Sequence, residues 1–371
     1  MSDARLTRRG KIIIIAAAIL LALPLVVMPV ATVIIYESIF GSRYETAPWL
    51  EFSTEDYEGL TVSRSDFDSE GERLAGYKYT RGGELRGVVV ISHGLGGGGH
   101  NSYMPFIDFF TQHGYGVFAY DAHGNDNSEG RGVEGLPQGV IDLDRAIGHL
   151  SNIDEFRSLP IALFGHSWGG YSVGNVLSLH PEVRAAIIVA GFNESEDMLL
   201  YQAREYVGSF ADLTIGYLEL YERLKFGSEY SELSALSGMA ATDAGIMIVH
   251  SADDETVPVR YGYDKFHEAY ADSERFQFVR YEDRGHNYLF YSEAAWEYRE
   301  QLNADYRAFV EDGGREYSAE TKLEFMTEHL DKKWCFELDP ELASQMLALL
   351  ERELKSTPQS GCSVKFDLSV K

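Results

Sequence analysis

The sequence predicts an α/β fold, a mostly parallel, doubly wound sheet with helices on both faces. Continuous apolar runs recur at 87–92, 115–120, 161–165, 185–190, 246–250 and 276–281. Unbroken rather than alternating runs are expected of strands covered on both sides. Segments of helical spacing lie at 103–113, 140–150, 170–179 and 260–270, and such a βαβα alternation implies parallel strands joined by crossover helices. The run 161–165 leads into a turn bracketed by glycines, Gly165-His166-Ser167-Trp168-Gly169-Gly170.

At the N-terminus, residues 1–11 carry Arg5, Arg8, Arg9 and Lys11 against Asp3, and residues 12–36 carry no charge at all. Those 25 residues extend roughly 37 Å as a helix, enough to cross about 30 Å of bilayer core. Pro24 and Pro29 are tolerated within lipid. A cleaved secretory signal has a shorter apolar region, about 7–15 residues, and ends in a small-x-small site. This run is longer and has no clean site of that kind, so an uncleaved transmembrane signal anchor is expected. Basic residues flank only its N-terminal side, and Glu37 follows. The positive-inside rule then leaves residues 1–11 in the cytoplasm and the acidic body outside the cell membrane, as a single-pass protein.

Residues 37–56 read as a linker and 57–312 as the catalytic domain. Within the domain, 60–64 and 73–80 form an antiparallel pair across the acidic turn 66–71. Residues 192–241 interrupt the alternation with helical, aromatic-rich sequence and are expected to cap the sheet's carboxyl edge. A helix over 289–310 closes the domain. Residues 313–371 read as a helical appendage, marked by Leu342, Met346, Leu349 and Leu350 on one helix face. Cys335 and Cys362 are the only cysteines, and in an exported chain they could form a bridge across the tail.

Composition excludes several classes. With 371 residues, 45% apolar, 36 Gly and 10 Pro, the chain is neither disordered nor collagen-like nor disulfide-dense. A formal charge of −26 from 32 basic and 58 acidic residues leaves no basic stripe for a phosphate backbone, so no nucleic-acid partner is expected. No His/Cys cluster has ligand spacing, and no metal is expected. His93, His123 and His166 are expected to brace loops, and His113, His149, His180, His250, His267 and His329 to be structural.

Chemistry concentrates at three loops that each follow a strand. Ser167 lies on the sharp strand-to-helix turn, where flanking glycines let the backbone approach closely and the hydroxyl project into a cleft. A serine needs a base, and the base needs an orienting acid. The run 246–250 ends in Ser251-Ala252-Asp253-Asp254-Glu255-Thr256-Val257-Pro258, and 276–281 is followed by Asp283-Arg284-Gly285-His286. Asp254 is the expected acid and Asp253 its rival, with His286 the base. The oxyanion needs donors fixed in advance. The Trp168 N–H, directly after the nucleophile, is one. Leu95 N–H, in the loop Ser92-His93-Gly94-Leu95-Gly96-Gly97-Gly98-Gly99-His100, is the other. That loop lacks the Lys-Ser/Thr and the acidic ribose partner that nucleotide binding requires.

The blocks His93-Gly94-Leu95-Gly96, Phe118-Ala119-Tyr120-Asp121-Ala122-His123-Gly124, Asn127-Ser128-Glu129-Gly130, Gly165 to Gly170, Asp254 to Pro258 and Gly285-His286 together resemble the α/β-hydrolase superfamily. They are most similar to its monoacylglycerol lipase, lysophospholipase and serine aminopeptidase branch. The resemblance covers about residues 57–310. It implies an α/β-hydrolase fold, Ser167, Asp254 and His286 as triad, Leu95 and Trp168 as oxyanion donors, and no cofactor. The chain departs from that pattern in the extra glycines after Gly94, in Asn125-Asp126 where relatives usually have His-Gly, and in the segment after residue 312.

The expectation is therefore a membrane-anchored serine hydrolase cleaving small-molecule or lipid esters of the acylglycerol or lysolipid kind. A serine aminopeptidase is the alternative, with Glu194, Glu196 and Asp197 holding a substrate ammonium. A non-catalytic surface module is the third reading, against which the intact Ser-Asp-His set speaks.

Overall fold

Alternate residues of the central strands divide the core in two. Val88, Val90, Leu163, Ile188 and Ile246 face one layer of helices, and Val89, Ile91, Phe164, Ile187 and Met247 face the other. That period of two, with both faces apolar, is why these runs are unbroken in sequence. The computed structural model describes residues 22–355, together with 7–9, 11, 12, 14 and 20. The expected cytoplasmic tail, much of 12–21 and Cys362 fall largely or wholly outside the described residues, and so does the expected bridge. Cys335 itself is buried.

The strands are β1 (Thr61–Arg64), β2 (Phe67–Ser69), β3 (Glu72–Leu74), β4 (Gly76–Thr80), β5 (Val88–Ser92), β6 (Gly116–Tyr120), β7 (Ile161–His166), β8 (Ala185–Val189), β9 (Gly245–Ser251) and β10 (Phe276–Tyr281). Eight of them form one sheet in the order β1-β4-β6-β5-β7-β8-β9-β10, and β2 pairs with β3 apart from it. β1/β4 and β4/β6 are antiparallel, and the pairs from β6 to β10 are parallel. Gly165 of β7 lies across from Ser92 of β5 and from Ile188 of β8, and Ser251 of β9 lies across from Tyr281 of β10. The chain leaves these strands at one carboxyl edge, which is where a doubly wound sheet offers its crevice.

The expected strand over 73–80 is two strands, and the expected turn 66–71 is largely the hairpin β2–β3. Phe67 is drawn into the core against Phe118 and Tyr120. The Ala75 N–H turns aside to the Ser128 hydroxyl, which breaks the strand there. Helices Leu136–His149 and Trp168–Val176 cover one face. Helices Met104–Gln112 and Pro340–Glu353 contribute to the other. The last of these lies in the expected C-terminal appendage and packs into the domain: Leu342, Met346, Leu349 and Leu350 are fully buried in the same core as β9. Segment 260–270 is likewise broken at Gly262, where a Cβ would lie 2.0 Å from the Gly191 carbonyl oxygen.

Segment 192–241 is helical, with Ser195–Val207, Ile215–Phe226 and Ala235–Ala240 as its main helices. The apolar N-terminal helix does not stop at residue 36. It runs through Met28–Phe40, and Thr32, Tyr36 and Phe40, spaced by four, are buried. Nor is 37–56 a free tether. Arg43 donates to the carbonyls of Asp126, Ser128 and Gly130, and Phe52 exchanges hydrogen bonds with Asn101.

Candidate active site

Ser167 sits between β7 and helix Trp168–Val176 with φ 57° and ψ −117°. A non-glycine residue there stores on the order of 1–3 kcal/mol of backbone strain. Its neighbours have to be glycine: a Cβ on Gly165 would lie 2.2 Å from the Gly169 carbonyl oxygen, and one on Gly169 2.0 Å from that of Ser92. The Ser167 N–H donates to Val189 O at 2.8 Å, and Tyr171 N–H donates to Ser167 O at 2.9 Å. These bonds hold the strained turn and leave the hydroxyl at the sheet edge.

The three side chains converge. His286 Nε2 is 2.9 Å from Ser167 Oγ, and His286 Nδ1 is 2.7 Å from Asp254 Oδ2. The other Asp254 oxygen accepts the N–H groups of Thr256 and Val257 at 2.9 and 2.8 Å. Burial works against the carboxylate. Hydrogen bonds from His250 and His286, electrostatic attraction to the His286 ring and the Val257 N–H outweigh it and hold Asp254 well below the usual carboxylate range. An ionised Asp254 accepts from Nδ1–H, which leaves His286 Nε2 as the acceptor for the serine proton. Asp253 does not reach His286. It accepts from Ser251 and from the Gly285 N–H at 2.9 Å, tying the acid loop to the base loop.

A line of buried groups joins the glycine loop to the base. Gly94 N–H donates to Tyr103 Oη at 2.9 Å, that hydroxyl donates to His166 Nδ1 at 3.0 Å, and His166 Nε2–H donates to His286 O at 3.0 Å. Burial, with the adjacent His286 ring, pushes His166 down to about 3, so its imidazole is neutral and the donor order follows. His93 Nδ1–H donates to Gly94 O, and its Nε2 accepts Ala122 N–H. His123 is paired to Asp142. Leu95 lies in the same loop next to Gly94, whose Cβ would be 3.4 Å from His166 O. Trp168 N–H belongs to the first residue of its helix, where backbone donors have no partner within the helix.

Asp126 explains part of the departure at 125–126. It accepts Gly99 N–H at 2.8 Å and Thr46 N–H at 2.6 Å, fastening the glycine loop to the entry segment. Asn125 is buried and donates to His123 O at 2.8 Å. Sequence reasoning singled out Ser167, Asp254 and His286, which the structure brings together, but gave no part in this site to Tyr103, Asp126 or His250. His250 is an inward polar residue in an otherwise apolar strand, 3.3 Å from Asp254 and donating to Val257 O at 2.8 Å. That interruption is the signal that could have identified it.

The cap is tied to this edge by Tyr201, which donates to Glu255 O at 2.9 Å. Inside it, Glu222 accepts from Tyr36 at 2.8 Å and from Ser195 at 2.8 and 3.0 Å. Burial raises Glu222 to about 7, despite those donors and Lys225. A raised carboxyl adds stability that is complete below its unfolded value near 4.5 and lost as pH climbs through about 7. Glu222→Gln is therefore expected to flatten the fall of melting temperature between pH 4.5 and 8, a difference on the order of 2 kcal/mol. Thermal unfolding of both proteins across that range checks it, and parallel curves would refute the assignment. Glu194, Ser195, Glu196, Glu219 and Glu222 line a cap cavity of about 260 Å³. Glu196, beside Glu219, is raised to about 7 by burial and by that neighbour, and Asp197 is taken by Lys265.

Residues 83–241 match the family model described as serine aminopeptidase, S33. A caffeoylshikimate esterase of Arabidopsis thaliana is 31% identical over 128 residues, 33% of this chain and 39% of that protein. A quorum-quenching protein of Acinetobacter baumannii is 28% identical over 115 residues, 30% of this chain and 37% of its own. The chain thus spans about two fifths of the length of these curated relatives. Among solved structures, a Pyrococcus furiosus esterase superposes with a TM-score of 0.55 at 14% identity, covering 84% of this chain and 99% of that one. A Pyrococcus horikoshii acylaminoacyl peptidase gives 0.50 at 15% identity, over 82% of this chain and 43% of its own. At such identities the structural likeness speaks for the fold alone.

Proposed function

We propose that this chain is a serine hydrolase of the α/β-hydrolase superfamily that cleaves carboxylic esters through an acyl-enzyme, held at a membrane by its N-terminal helix. The observation that carries the reading is His286 within hydrogen-bond distance of both Ser167 Oγ and Asp254 Oδ2. Ser167 Oγ attacks the ester carbonyl carbon while its proton passes to His286 Nε2. The carbonyl oxygen becomes an oxyanion, and the N–H groups of Leu95 and Trp168 are its donors. Collapse breaks the bond to the alcohol, which leaves with the proton from His286. A water then gives its proton to His286 and attacks the acyl-enzyme, releasing the acid and restoring Ser167. No step calls for a cofactor.

The apolar helix Leu23–Phe40, with a mean hydropathy of 1.9 and only 17% of it buried, supports anchoring. The esterase name of the Arabidopsis relative supports an ester, and the aromatic cap supports an apolar acyl group of the acylglycerol or lysolipid kind. A serine aminopeptidase is the second reading, favoured by the acidic cap cavity, which suits a substrate ammonium. Parallel assays with a monoacylglycerol and an aminoacyl-naphthylamide separate them. Ester turnover alone is expected, and naphthylamide turnover alone would replace it with the second reading.

A further inference from the structure

The cap carries apolar surface that the fold does not use. Tyr206, Val207, Phe210, Leu213, Leu220 and Leu224 are each more than half exposed, Leu224 at 76%. A soluble domain scatters such residues singly. Here they lie on consecutive cap segments. Within helix Ile215–Phe226, Leu220 and Leu224 are four apart on the side away from the residues that hold it down, and Leu213 lies just before its start. Those residues are Tyr221, Glu222, Lys225 and Phe226, and what they hold is helix Met28–Phe40. Tyr36 donates to Glu222, its ring meets that of Tyr221 edge-on at 5.3 Å, and Glu37 accepts from Tyr221 and Lys225. The two helices are clamped together by buried and half-buried polar contacts, while each leaves apolar side chains outward.

What covers those faces is indicated by helix Met28–Phe40. Val30, Ile34, Ile35 and Ile39 are all about half exposed or more, and around its upper turns the helix is apolar on every side. A protein groove covers one face of a helix, whereas lipid surrounds it. Leu220 and Leu224 lie on the same helix that grips Tyr36 and Glu37 near the end of that apolar helix, and Tyr206 suits the headgroup level. We infer that the cap stripe formed by Phe210, Leu213, Leu220 and Leu224 is a bilayer-contact surface, so that the carboxyl edge of the sheet is held against the membrane and receives substrate from the adjoining leaflet. The occupant is a zwitterionic lipid surface, since a chain of net charge −26 is repelled by anionic headgroups. This inference rests on the anchored-hydrolase reading above.

The test uses the full chain reconstituted in phosphatidylcholine vesicles. In Leu224→Trp, the added tryptophan is expected to be quenched by lipid brominated near the headgroup, beyond the quenching of the native tryptophans. In the triple variant Phe210→Ser, Leu220→Ser, Leu224→Ser, turnover of a short soluble ester is expected to stay within about twofold. Turnover of a vesicle-embedded ester is expected to fall at least about fivefold, because the removed side chains no longer bury apolar area in the interface. An unquenched tryptophan together with unchanged embedded-ester turnover overturns the inference. A dimer that the triple variant abolishes overturns it too, in favour of a second copy on this face. Protein washed from the vesicles by alkaline carbonate means the anchor reading fails and takes this inference with it. Soluble-ester turnover independent of Ser167 sinks only the hydrolase reading, and quenching still decides the docking surface.

Discussion

Asp254→Asn is expected to lower kcat for a soluble ester by about 10⁴-fold while leaving the fold intact. An amide at this position fills the same volume and still accepts the Thr256 and Val257 N–H groups through its oxygen. Its nitrogen then faces His286 Nδ1 as a donor. The imidazole responds by carrying its proton on Nε2, where it points at Ser167 and cannot accept the serine proton. The loss therefore falls on the chemical step, with KM little changed. Titration separates this from a mere packing defect: the residual activity should rise with pH as hydroxide supplants the base. Stopped assays from pH 6 to 10, with circular dichroism as the folding control, check the expectation. A loss below tenfold would show that Asp254 does not set the tautomer.

Ser167→Ala is expected to remove the acyl-enzyme route altogether, a loss of about 10⁴- to 10⁶-fold. The substitution deletes one oxygen at a strained turn whose backbone is fixed by Val189 and Tyr171, and alanine tolerates that conformation no worse than serine. Stability is thus expected within about 0.5 kcal/mol of the parent, since no buried partner but His286 Nε2 is left unpaired and that edge is open to water. A mass shift from a trapped acyl group, present in the parent and missing in the variant, reads the same prediction directly. Burst kinetics with an activated ester would disappear with it.

Much of this was legible beforehand because each part leaves a local mark. Buried parallel strands must be continuously apolar, and so sharp a strand-to-helix turn must carry glycine at 165 and 169, since no side chain fits there. Residues such as Asp254 and His286 were found because they follow strands that end at one edge. Contacts between distant segments leave no such mark. The apolar run 12–36 reports solubility in lipid, and nothing in it tells that Tyr36 would reach a carboxylate 186 positions away. Helix Pro340–Glu353 looked appended because its amphipathic stripe names a buried face without naming what buries it. Asp126 and Tyr103 act through loop geometry, which periodicity does not encode. The split at Ala75 depends on the hydroxyl of Ser128, far along the chain.

The most direct measurement is labelling of the full chain with a fluorophosphonate probe, followed by peptide mass spectrometry. The account predicts a single adduct on residue 167, formed rapidly near neutral pH and slowed at least a hundredfold in His286→Ala. An unmodified Ser167 in folded protein, or labelling that ignores the loss of the imidazole, would contradict it.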